Sequence, residues 1–152
     1  MSDKAEDFAK LLLEKTEGGK LCWQFVPGTP TESYWTDRER YRTDIEDGFS
    51  FSIERRASGD NKILDFQLTR PGGVVLSARA DNLPLSLAGR SIMEQGDAIV
   101  QRFNDFHPTE AIDSSRISRF RLFSDLFRAA RNNAAVEDTT IEKVQQLLER
   151  LG

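Results

Sequence analysis

Three turn signals separated by strand-length runs constrain this chain more than any other feature: Asp47-Gly48, Ser58-Gly59-Asp60-Asn61 and Pro71-Gly72-Gly73. Asp-Gly is a two-residue hairpin signal. Pro-Gly-Gly suits a type II turn, with proline at its second position and glycine at its third. The runs between them alternate. Tyr41, Thr43 and Ile45 are interleaved with Arg40, Arg42 and Asp44. Phe49, Phe51 and Ile53 are interleaved with Ser50, Ser52 and Glu54, and Leu64, Phe66 and Leu68 with Asp65, Gln67 and Thr69. An earlier run places Leu21, Trp23 and Phe25 between Cys22, Gln24 and Val26, and Pro27 to Pro30 breaks it. A last run carries Val74, Leu76 and Ala78. Short turns force neighbouring strands to be antiparallel, so the pattern predicts an antiparallel meander of about five strands with one apolar and one polar face.

A sheet covered on one face needs helices to cover it. Ser2 to Thr16 carries Ala5, Phe8, Ala9, Leu11, Leu12 and Leu13 at helical spacing, with Asp3, Glu6 and Asp7 near its start, where the helix dipole favours negative charge. Gly18-Gly19 can end that helix in the left-handed conformation. Ser114 or Ser115 can cap a helix running to about Asn133, with Ile117, Phe120, Phe123, Phe127, Ala130 and Ala134 along one stripe, widened by Leu122, Leu126 and Ala129. Thr139-x-x-Glu142 is a capping-box pattern for a separate last helix, with Ile141, Val144, Leu148 and Leu151 on one face. Residues 81–113 read as irregular, with a short helix over 97–106 capped by Asp97 and ended by His107-Pro108. The expectation is a single α+β domain over 1–152: an N-terminal helix, the meander, and C-terminal helices packed on one sheet face.

Composition excludes several classes. A chain of 152 residues can bury a sizeable core, and ten Phe, two Trp and two Tyr set it apart from a disordered chain. A net charge of −4 argues against a general nucleic-acid or membrane-surface binder, which needs a positive field, though it leaves room for a local basic patch. Cys22 is the one cysteine, so no intrachain disulfide forms; a small packed thiol is its expected state. The acidic start and the shortness of every apolar run predict a cytoplasmic protein with neither a signal peptide nor a transmembrane helix.

The segment Gly18-Gly19-Lys20 invites a phosphate-loop reading and fails it. Such a loop needs glycine where Glu14 stands and serine or threonine where Leu21 stands, and it must join a strand to a following helix. With one His and one Cys, the chain lacks the usual ligand set of a zinc site, so neither metal nor cofactor is expected. A nucleophile–histidine arrangement would have to use His107, which precedes a proline in a polar segment and reads as a loop histidine. Asp44, Glu54 and Asp65 could form an acid–base cluster on the polar sheet face, but interleaving with Arg40, Arg42 and Arg56 favours cross-strand charge pairing. No catalytic residue is assigned, and the chain is read as non-enzymatic.

Two groups of residues are candidates for contact with a partner. The first is the polar sheet face with Arg40, Arg42 and Arg56, rimmed by Trp35 in the loop before the second long run. The second is the basic helix 116–131, where Arg119, Arg121 and Arg128 stand with Arg116 and Arg131 against Asp125 alone. Glu137, Asp138, Glu142 and Glu149 are the acidic residues expected to neutralise it. The Phe-rich stripe of the same helix could pack on the sheet or form the seam of a homodimer.

The leucine-rich opening helix, then Glu14-Lys15-Thr16 followed by Gly19-Lys20 and Trp23, then Tyr41-Arg42-Thr43 on a strand, resembles a pattern in small uncharacterised bacterial proteins. These share a helix, a β-meander and a C-terminal helical stretch. The resemblance covers roughly the first half of the chain. It implies the fold and a bacterial origin, and it carries no function or site. The functional expectation is an interaction or regulatory module that binds a protein partner, in the manner of accessory, immunity or chaperone-like proteins. The alternative is a nucleic-acid or nucleotide-binding module using the basic helix.

Overall fold

A computed structural model of the chain describes residues 3–27, 37–82, 97–106 and 112–151, together with Ile92 and Pro108. It shows the expected α+β architecture: an N-terminal helix, a five-stranded antiparallel sheet and C-terminal helices. The first helix, α1 (Lys4–Glu17), starts at Asp3, whose Oδ1 accepts the Ala5 N–H at 2.9 Å. It ends in a Schellman motif. Gly19 takes a φ of 73°, its N–H donates to the Thr16 carbonyl at 3.1 Å, and the Lys20 N–H reaches back to the Lys15 carbonyl at 2.8 Å. The two glycines are therefore a helix stop, and Lys20 is exposed.

The strands are β1 (Gln24–Val26), β2 (Asp37–Asp44), β3 (Ser50–Ser58), β4 (Asn61–Arg70) and β5 (Gly73–Asp81), hydrogen-bonded in chain order. All four pairings are antiparallel. Asp47 and Gly48 both have positive φ, 64° and 79°, within a one-turn 3-10 segment that joins β2 to β3. Register sets the two faces. Tyr41, Ile53, Phe66 and Ala78 share an inner rung, and Thr43, Phe51, Leu68 and Leu76 share the next. Arg40, Glu54, Asp65 and Arg79 form a rung of the outer face.

The expected strand from Leu21 is ladder-paired only from Gln24. The reason is side-chain competition for the same backbone groups. Asn133 accepts the Trp23 N–H at 2.7 Å and donates to the Leu21 carbonyl at 3.0 Å, and the Thr43 hydroxyl donates to the Cys22 carbonyl at 2.9 Å. Trp23 is fully buried, as its place on the inner face requires. Phe25 has the same parity but lies at the sheet edge and stays half-exposed, against the tilted ring of Tyr41. Cys22 is exposed, not the packed thiol expected, because its parity points it away from the core.

The cover is α1 with α3 (Ser114–Arg150); α2 (Asp97–Phe106) contributes Val100 and Phe103 to the same core. Phe120, Phe123, Phe127 and Leu126 of α3 meet Phe66, Tyr41 and Leu64 of the sheet, with the Phe66 and Phe123 ring centroids 5.6 Å apart. Asn104 of α2 accepts the Ile112 N–H at 2.7 Å and donates to the Ile112 carbonyl at 2.9 Å, which fixes the approach to α3. Asp113, not Ser114 or Ser115, is the N-cap: its Oδ1 accepts the Ser115 N–H at 2.9 Å.

The two C-terminal helices expected from sequence are one continuous helix of 37 residues, about 55 Å long at 1.5 Å per residue. The capping-box pattern at Thr139 does not start an element. No glycine or proline stands between Asn133 and Thr139, and Ala134 and Ala135 are strong helix formers, so nothing stops the preceding helix.

Candidate functional site

The inner sheet face is not apolar throughout. Glu39, Arg55 and Lys62 occupy the same register as Tyr41, Ile53 and Leu64, so one end of that face is charged. Opposite it, α3 presents Arg121, Arg128 and Arg131. The two walls enclose a cleft of about 410 Å³ floored by Leu64, Phe120 and Phe127. Asp125 is the only acidic residue among those lining it.

The wall on the sheet is held in place. The Arg55 guanidinium lies 4.8 Å from the Phe127 ring centroid, and its Nη2 donates to Asp37 at 3.2 Å and sits 3.6 Å from Glu39. Its Nε is buried without a hydrogen-bond acceptor among the described residues. Glu39 also accepts the Tyr41 hydroxyl at 3.0 Å. Burial, and then that bond to Glu39, push the Tyr41 phenol above its ordinary value.

The wall on the helix is weakly neutralised. Arg121 has no ion pair among the described residues, Arg128 has one contact at 3.8 Å to Asp125, and Arg131 lies 3.5 Å from Glu39. Glu142 and Glu149, expected to offset these arginines, stand on the far length of α3 and form no ion pair among the described residues. Glu39, from the sheet, is the acidic residue that reaches Arg131 instead.

The candidate residues read from sequence fall into separate places. Arg40, Arg42 and Arg56 are on the outer sheet face. Arg42 donates to Asp44 at 2.8 Å, Arg56 pairs with Asp65, and Arg79 donates to Asp65 at 2.8 Å. Among the described residues Arg40 reaches the Ser52 hydroxyl, at 3.4 Å, and forms no ion pair. The Arg42 guanidinium, then the Ser50 hydroxyl, hold the Asp44 carboxyl below its usual range. This is a laced, solvated surface whose carboxylates are arginine-bound, with a shallow depression of about 140 Å³ at Glu54 and Asp65. Arg119 faces α1 and pairs with Asp3 and Glu6, while Arg116 pairs with Asp81 at 3.0 Å. Both serve to bind α3 to its neighbours. Arg121 and Arg128 do reach a common cleft. Trp35 and His107 lie outside the described residues.

Arg55 and Lys62 complete the cleft and are absent from the sequence-derived set. Their signal is a charge in the apolar parity of a strand: Arg55 follows Phe51 and Ile53 at the same two-residue spacing, and Lys62 precedes Leu64 and Phe66. Such a charge marks where the inner face leaves the core.

A second surface is the far end of α3. Among the described side chains the last core residue of this helix is Ala134, and every residue from Glu142 to Leu151 is exposed. Val144, Leu147, Leu148 and Leu151 lie on one stripe, exposed by 49%, 50%, 63% and 83%. Glu142, Lys143, Glu149 and Arg150 flank the stripe with balanced charge.

Among the described residues no group of three or more His, Cys, Asp or Glu side chains could hold a metal ion, and no helix is long and apolar enough to cross a membrane. Comparison of the chain with protein-family models, curated proteins and solved structures gives no match.

Proposed function

We propose that the protein is an interaction module that engages a protein partner through the C-terminal length of α3. The observation that carries this reading is the exposed stripe Val144, Leu147, Leu148 and Leu151 on the last turns of α3, beyond Ala134, the last core residue among the described side chains of that helix. The spacing i, i+3, i+4, i+7 is that of the anchors by which an amphipathic helix seats in a hydrophobic groove. An isolated helical length of this kind is marginal in water, so packing against something else is what would secure it.

The area argues for a groove rather than a simple self-pair. Two such stripes laid together would bury on the order of 400 Å² per side, about half of the ~800 Å² per partner of a stable complex. A groove encloses the helix from both flanks and reaches that area. A nucleic-acid backbone has less support, because Arg116 and Arg119 are bound to Asp81, Asp3 and Glu6 and leave no continuous phosphate track on the helix.

A photo-crosslinking residue placed at Leu148 tests the reading, with one at exposed Lys10 as the control. In native host extract, position 148 should give a discrete adduct of defined mass and position 10 should not. Identical adducts from both positions, or none from either, would exclude the helix end as the contact.

A further inference from the structure

We infer that the cleft between α3 and the charged end of the inner sheet face is a binding site for a small soluble organic phosphate. This goes beyond protein docking at the helix end and rests on different residues. Five cations line the cleft from two sides, Arg55 and Lys62 from the sheet and Arg121, Arg128 and Arg131 from the helix; Asp125 is the one lining carboxylate, and Asp37 and Glu39 stand behind Arg55 and Arg131, which leaves the group as a whole positive. The chain as a whole carries −4, so the concentration of positive charge is local. Clefts lined by one sign of charge with apolar walls focus the field on a ligand of the opposite sign.

The chemical class follows from the arrangement of donors. A carboxylate is planar and is satisfied edge-on by one guanidinium, whereas a phosphate offers acceptors in several directions and more than one charge. Donors converging from opposite walls match the second. A diphosphate carries more charge and more acceptors than a single phosphate, so it is the stronger probe of such a site. The volume of about 410 Å³ lies within the range of small-molecule sites and excludes a nucleic-acid duplex. The floor residues Phe120 and Phe127 are buried, so they exclude water beneath the ligand without offering a ring face for a base to stack on.

Each wall of the cleft has one positioned cation. Arg131 is drawn towards Glu39, and Arg55 is fixed over Phe127, which leaves Arg121 and Arg128 as the adjustable groups. Both are exposed and outside the core, so either can be removed without loss of packing.

Calorimetric titration of the full chain with inorganic pyrophosphate tests the site. The expected result is saturable one-site binding with a Kd at or below about 1 mM, weakened at least about tenfold in Arg121→Ala/Arg128→Ala. The double variant Lys10→Ala/Lys20→Ala changes net charge equally but lies elsewhere, at exposed positions, and should bind as the parent does. Absence of saturable binding would overturn the proposal, as would equal loss in both double variants, which would mark a diffuse charge effect. Co-sedimentation with vesicles bearing a phosphorylated headgroup, without binding of free pyrophosphate, would overturn the soluble-ligand assignment.

Discussion

The indole N–H of Trp23 donates to the Thr16 hydroxyl across 2.8 Å, in the fully buried seam between α1 and the start of the sheet. That hydroxyl in turn donates to the Leu12 carbonyl at 2.7 Å. Thr16→Val keeps the shape and strands the indole donor, so it should destabilise by about 1–3 kcal/mol. Urea midpoints check this. In a cycle with Trp23→Phe the two losses should be strongly non-additive, because each removes the same bond.

Asn133 joins α3 to the segment before β1 by imitating a peptide group towards Trp23 and Leu21. Asn133→Leu leaves one buried donor and one acceptor without a partner. The expected cost is about 1–3 kcal/mol per stranded group. Amide exchange at Trp23 should accelerate well before global unfolding.

Gly48 is constrained twice, by its φ of 79° and by Pro71, whose Cγ would lie 2.8 Å from an added Cβ. Gly59, at φ 60°, has open space around it. Gly48→Ala should therefore lower stability by more than Gly59→Ala, which carries only the conformational penalty of about 1 kcal/mol. Equal losses in thermal unfolding would show that Pro71 yields freely.

Acid should weaken the fold in a defined direction. The Ser115 backbone N–H holds the Asp113 carboxyl below its usual value of 3.8, and the Arg42 guanidinium does the same for Asp44. For a carboxyl lowered in the native state, the unfolded chain binds more protons near the ordinary value. The stabilisation is therefore full above that value and is lost as pH falls towards the native one. Carboxyl titration by NMR should give both groups midpoints below 3.8, and Asp44→Asn or Asp113→Asn should flatten the fall of urea midpoints below about pH 4.

The sheet was the most legible part of the chain, because Asp47-Gly48, Gly59 and Pro71-Gly72 fix both where strands end and which way the next one runs. Once register is set, alternation alone assigns Tyr41, Ile53 and Phe66 to the core. What sequence did not reveal depends on tertiary partners. Asn133 displaces ladder bonds at Leu21 and Trp23 from more than a hundred residues away. The capping-box pattern at Thr139 is a local preference that the preceding helix overrides. The cleft was half visible: Arg121 and Arg128 stand out as charges on a helix, but Arg55 and Lys62 were hidden inside an apolar alternation. The arginine pairs also needed the fold, since Arg119 finds Glu6 and Arg131 finds Glu39 only through packing.

Affinity capture from native host extract is the most direct test of the claim that α3 is a docking element. Wild-type protein should be compared with Leu147→Glu/Leu148→Glu, which leaves Trp23 and the core untouched and should keep the parent's fluorescence and unfolding midpoint. The account predicts a discrete partner retained by the wild type and lost, by at least about tenfold, in the variant. Equal recovery of that partner by both proteins would contradict it.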